Sequence, residues 1–189
     1  MASDILPESG EHTVIRLICL GRIDPTMADV LAANIQTILG INADISIITE
    51  KPGYAFVPGR GQFDAGKILR HLASVKSEVP LRLGVTAYDL CTPILTFVYG
   101  ESELGGTCAV ISINRIRHNT PEITYLRAVK IGLHEVGHLF GIGHCWEPGC
   151  LMQYSHNLEK LDALNIDFCS ACRYEINRRK LTLMKSACP

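Results

Sequence analysis

No stretch of this sequence stays apolar for 18 or more residues, which excludes a membrane-crossing helix. Charge of one sign is also missing. Eighteen Lys and Arg stand against 19 Asp and Glu, a formal net charge of −1, so no long-range field draws in nucleic acid or an anionic membrane. There is no internal repeat and no low-complexity segment. The opening residues, MASDILPESGEH, carry Asp4, Glu8 and Glu11 and lack a basic segment followed by an apolar one, so 1–12 reads as a polar, flexible tail and not as a secretory leader. What remains is 189 residues, 47% hydrophobic and 20% charged, enough for one domain with a real core and too few for two.

Cysteine is the residue in surplus. Two of the eight, Cys19 in VIRLICL and Cys108 in TCAVISI, lie in strand-like runs where a reduced thiol acts as a small buried hydrophobe. Cys145, Cys150, Cys169 and Cys172 instead form two close pairs, C-x4-C and C-x2-C. Without an export signal such pairs are more often metal ligands than disulfides, and the expected compartment is a reducing cytoplasm. A redox pair at Cys169 and Cys172 is the competing reading, but the thioredoxin-like βαβ setting of such a pair is missing.

Along the chain, 14–20 reads as a buried strand. Asp24-Pro25 caps a helix that Gly40 stops, and 45–49 is a second strand. A glycine- and proline-rich loop at 51–63 leads to a helix over 64–77, and short strands follow at 81–86, 94–99 and 107–114. Thr120-Pro121-Glu122 opens a long helix whose Leu126, Val129, Leu133, Val136 and Phe140 make a core-facing stripe, and a last helix spans about 170–185. This order predicts an α/β domain over 13–189 with a mixed five-stranded sheet. Residues 13–143 would hold the sheet and the long helix, and 144–189 a small C-terminal part around the cysteines.

The chemistry concentrates in HEVGHLFGIGH, 134–144. His134 and His138, four apart, share a helix face, so both imidazoles converge on one ion. Six residues at about 100° each would carry His144 well off that face, so the chain must turn first, and Gly141 is placed to let it. Three imidazoles and an open fourth position make a catalytic zinc site. Glu135 stands beside the metal without binding it, as a general base for a water activated by zinc. Three aligned histidines in a satisfied core would each need a separate partner, which makes a purely structural role the weaker reading.

HExxHxxGxxH is the metzincin zinc motif. With His144-Cys145, Cys150, Met152 and Cys169-Ser170-Ala171-Cys172 it closely resembles the signature of the archaemetzincins, in a chain whose interval from Met152 to Cys169 is about one residue shorter. The likeness extends to Arg60-Gly61-Gln62-Phe63, Asp89-Leu90 and Phe97-Val98-Tyr99-Gly100-Glu101, most of the chain. The resemblance implies a zincin-like fold and a peptidase. It assigns His134, His138 and His144 to the catalytic zinc, Glu135 to the base, and the four cysteines to a second, structural zinc, two ions per chain. Met152 would be an apolar floor beneath the histidines. The expected partner is a peptide or protein substrate, bound by a monomer. The alternative is a binding or structural protein that keeps the four-cysteine zinc and rarely loads the histidine site.

Lesser features stay open. Tyr154 is a packing residue or an oxyanion donor, and Arg60 a capping arginine or a substrate contact. Trp146 and Pro148 pack or turn the C-x4-C loop, His12, His71, His118 and His156 have no role, and 107–114 would be a sheet edge able to pair an extended peptide.

Overall fold

A computed structural model describes residues 13–186, so the expected tail at 1–12 lies outside the described residues. TVIRLICL forms β1 (Thr13–Leu20), whose alternating side chains serve two cores. Ile15 and Leu17 enter one of them, and Ile18 and Leu20 the other. Asp24 caps α1 (Pro25–Leu39) by accepting from the Thr26 amide at 3.0 Å, and Gly40 ends it in the left-handed region at φ 61°. Then come β2 (Asn42–Ile48), the short strands β3 (Phe56–Val57) and β4 (Gln62–Asp64), α2 (Ala65–Ser74), β5 (Leu81–Thr86), β6 (Leu90–Cys91), β7 (Gly100–Ser102) and β8 (Cys108–Ser112). Three helices complete the fold: α3 (Pro121–Leu139), α4 (Leu158–Ala163) and α5 (Ser170–Ser186).

The main sheet has the order β2-β1-β5-β8-β7, with the first four strands parallel and β7 antiparallel to β8. Helices α1 and α3 cover one face through Leu31, Ile35, Leu133 and Val136. Helix α2 covers the other through Ile68 and Leu72. Five strands in a mixed sheet, with backing helices, match the expectation. The strands β3, β4 and β6 form a small second sheet that was not expected.

Four details differ. The strand expected at 94–99 is a loop, and the fifth strand is β7. Ile94 is 92% exposed, and beyond a single backbone bridge from Val98 to Leu90 side chains hold this loop: Arg60 donates to the Thr92 and Leu95 carbonyls and Gln62 to that of Thr96. Consequently β8, expected at an edge, is an inner strand, and β7 is the edge. Helix α2 ends three residues early because the Arg82 guanidinium takes the Leu72 and Val75 carbonyls. Leu126, placed in the core stripe, is 44% exposed. Helix α3 is buried on most sides, so a single apolar stripe describes it poorly. Even its Arg127 and Lys130 are buried, each against partners from α4.

Candidate active site

Helix α3 carries His134 and His138 on one face, and both rings are tied down from behind. The His134 Nδ1 lies 2.8 Å from the Leu151 carbonyl and the His138 Nδ1 lies 2.7 Å from the Ile142 carbonyl. Burial disfavours the charged form of both rings, and a carbonyl only accepts, so in the neutral rings each Nδ1 carries the proton and each Nε2 is a bare lone pair. Those two Nε2 atoms face each other at 3.0 Å with no proton to share. Gly141 ends the helix at φ 74°, its amide donating to the His138 carbonyl, and the turn returns His144 to the same point. The ring centroids of His144 lie 5.4 Å from His134 and 5.0 Å from His138. One ligand atom from each histidine falls within 4.8 Å of the others. Lone pairs converging without a donor are stable only around a cation, and tetrahedral zinc at about 2.0–2.1 Å from each nitrogen spans such a gap.

The four cysteines meet just beyond. Their sulfurs lie within 4.8 Å of one another, with Cys145 and Cys169 Sγ 3.8 Å apart, close to the edge of a tetrahedron with metal–sulfur bonds of about 2.3 Å. All seven described cysteines are free of disulfides, these four among them. Burial pushes the Cys150 and Cys172 thiols up, so four thiolates coexist here only if a cation offsets them. Backbone amides already point at the sulfur: Glu147 N donates to Cys145 Sγ and Cys169 N to Cys150 Sγ, both at 3.4 Å. The two clusters share a backbone. Cys145 N donates to the Met152 carbonyl, and the carbonyl between them in the loop, that of Leu151, is the one that orients His134. Met152 is fully buried, and its sulfur lies where a side chain on Gly137 would have to go. That is why the third residue after His134 is a glycine.

Glu135 reaches the edge strand β7. Gly100 has no side chain there, and a Cβ on it would stand 2.6 Å from Glu135 Oε1. Ser102 Oγ donates to Oε2 at 2.5 Å. Burial pushes the Glu135 carboxyl up to about 8. The Ser102 hydrogen bond opposes that shift, and nearby Glu101 adds to it. A divalent cation at the histidines would draw the carboxyl back toward its ionised form.

Between α3, the 95–102 segment, the 151–156 turn and α4 lies a cleft of about 460 Å³, with His134, Glu135, His138 and His144 in its wall. Tyr154 is 55% exposed and sets its ring edge-on to His144, 5.3 Å between centroids. It therefore borders the cleft and is no core residue. His156 stacks on Tyr154. Arg60 is committed to the 92–95 loop, the capping role of the two foreseen. His71 packs on Tyr54, and His118 Nδ1 accepts from the Thr120 amide, a cap that Thr120 itself does not provide. Trp146 is 91% exposed, and His12 lies outside the described residues. Sequence reasoning missed Gly100, Ser102 and Lys130 as parts of the site. Lys130 was within reach, since it precedes His134 by one helical turn on the same face. The first two come from a strand distant in sequence, and only pairing with β8 brings them in.

Comparison with known proteins agrees with this geometry. The model of Peptidase family M54 matches residues 22–178. An archaemetzincin of Methanopyrus kandleri is 38% identical over 127 residues, 67% of this chain and 73% of that protein. One from Archaeoglobus fulgidus is 32% identical over 148 residues, 78% of this chain and 89% of its own. The crystal structure of the M. kandleri protein superposes with a TM-score of 0.82 at 31% identity, covering 93% of this chain and 99% of that one. A zinc-dependent peptidase from Methanocorpusculum labreanum gives 0.78 at 28% identity, covering 86% and 100%. Fold, clustered ligands and kinship lead to one statement: this chain belongs to the archaemetzincins, metzincin-clan zinc metallopeptidases of family M54.

Proposed function

We propose that this chain hydrolyses peptide bonds with one catalytic and one structural zinc, held by His134, His138 and His144 and by Cys145, Cys150, Cys169 and Cys172 respectively. The observation that carries this reading is the pair of unprotonated Nε2 atoms facing each other at 3.0 Å, which calls for a cation. Zinc bound there would lower the pKa of a water and polarise the scissile carbonyl. Glu135 takes the proton of the attacking water and delivers it to the leaving amine, with Ser102 fixing the carboxylate's orientation. The edge strand β7, which pairs only with β8 among the described residues, offers main-chain groups to an extended peptide laid across the cleft. The free thiols fit a reducing compartment such as the cytoplasm. No described helix is long and apolar enough to cross a membrane.

Metal analysis and a peptide-library digest test this together. Purified protein should contain two zinc ions per chain and the His134→Ala, His138→Ala variant one. Library cleavage should vanish in Glu135→Ala, whereas equal cleavage by the variant would refute the assignment.

A further inference from the structure

The cleft has a cation in its wall that the proposed chemistry does not use. Lys130 lines the cleft one turn before His134 and is only 3% exposed. Two of its three N–H bonds go to the carbonyls of Leu161 and Asp162, at 3.0 and 2.8 Å, at the end of α4. A lysine that served only to cap α4 could lie on the surface, where its charge stays hydrated. This one is taken out of water, and burial lowers its pKa. The facing charges leave an excess. The Asp162 carboxylate is occupied by a bidentate pair with Arg127, so Lys130, Arg127 and Asp162 together carry one net positive charge. The acids of the cleft wall are Glu101 and Glu135, and Glu135 is held by Ser102 of β7.

Another polar group of the cleft wall lacks a partner. Ser155 Oγ is buried and makes no hydrogen bond, although its residue lines the same space. The same wall includes Ile131, Leu151, Leu161 and Leu164, apolar surface of the kind that covers a methylene stem.

We propose that this cleft holds a subsite for a carboxylate carried by a substrate residue next to the cleaved bond, with the third N–H of Lys130 and the Ser155 hydroxyl as its donors. The proposal rests on the peptidase reading and narrows its substrates to acidic peptides. The carboxylate belongs to a Glu or Asp side chain or to a chain terminus, and both present the same acceptors.

The test is binding to zinc-loaded protein of uncleavable peptide hydroxamates, with a Glu, Gln or Leu side chain placed on either side of the zinc-binding group. A fourth series compares free and amidated C-termini. For at least one placement, side chain or terminus, the carboxylate compound should bind about tenfold or more tightly than its uncharged counterpart, the scale of one charge-assisted hydrogen bond. Lys130→Met should abolish that gap and Ser155→Ala should narrow it. If Lys130→Met fails to fold, the wild-type gap and its response to Ser155→Ala decide. Tighter binding of the Leu or Gln compound, or a gap unchanged in these variants, overturns the proposal and leaves Lys130 as a cap on α4. Failure of the peptidase reading looks different: hydroxamates bind with the acidic preference while no peptide in the library is cut.

Discussion

At Ser102 a single hydroxyl connects the sheet to the Glu135 carboxylate, the proposed base. Ser102→Ala should lower kcat about tenfold by leaving Glu135 Oε2 without its donor, while zinc content stays at the wild-type level. Loss of zinc from the variant would show a role in metal binding instead. His134 offers a pH prediction. Burial pushes its pKa down from 6.5 to about 4, so the native metal-free protein refuses a proton that the unfolded chain accepts. The resulting stability is fully present above pH 6.5 and is lost as pH falls toward about 4, by about 3 kcal/mol at most. Urea midpoints of chelator-treated protein should fall across that window, and His134→Ala should remove this component.

At the scale of elements, the turn after α3 is held from two sides. Gly141 combines a φ of 74° with the Arg179 guanidinium of α5 lying where a side chain would go. Gly141→Ala should therefore destabilise the protein by about 1–3 kcal/mol, read from denaturant midpoints, and weaken zinc binding at the histidines. The cysteine loop acts on the same histidines through the Leu151 carbonyl and the Cys145–Met152 backbone pair. A Cys169→Ser, Cys172→Ser variant should lose both metals, and retention of the histidine-site ion would show the two sites to be independent. These elements also show what was legible beforehand. The ligand sets could be read from the sequence because His134 and His138 obey helix periodicity and the cysteine pairs have metal spacing. The 92–99 loop could not, since its β-like composition is overruled by side chains arriving from Arg60 and Gln62, some 30 residues away. Leu126 misled for another reason, because an apolar repeat fixes one face of a helix only when the other face meets water.

For the molecule as a whole, the order of strands and helices followed from alternation and capping, but not which strand stands at the edge. Pairing in space decides that, and it moved the proposed peptide-binding strand from β8 to β7. The C-terminal part contributes few residues to the cores beyond Leu151, Met152, Leu161, Phe168 and Ile176, so metal should matter to its stability. Structural zinc contributes roughly 10–16 kcal/mol of apparent binding energy at neutral pH. Chelation should accordingly lower Tm by more than about 10 °C, and readdition of zinc should restore it. An unchanged melting curve would mean that sulfur packing alone holds this region.

The grip of Arg60 and Gln62 on residues 92–96 falls on carbonyl oxygens, which every amino acid possesses. Side chains at 93, 94 and 95 can thus be exchanged without loosening the lip of the cleft. Natural variation there would retune what the enzyme accepts while its architecture stays put, and a designer could do the same by randomising these positions alone.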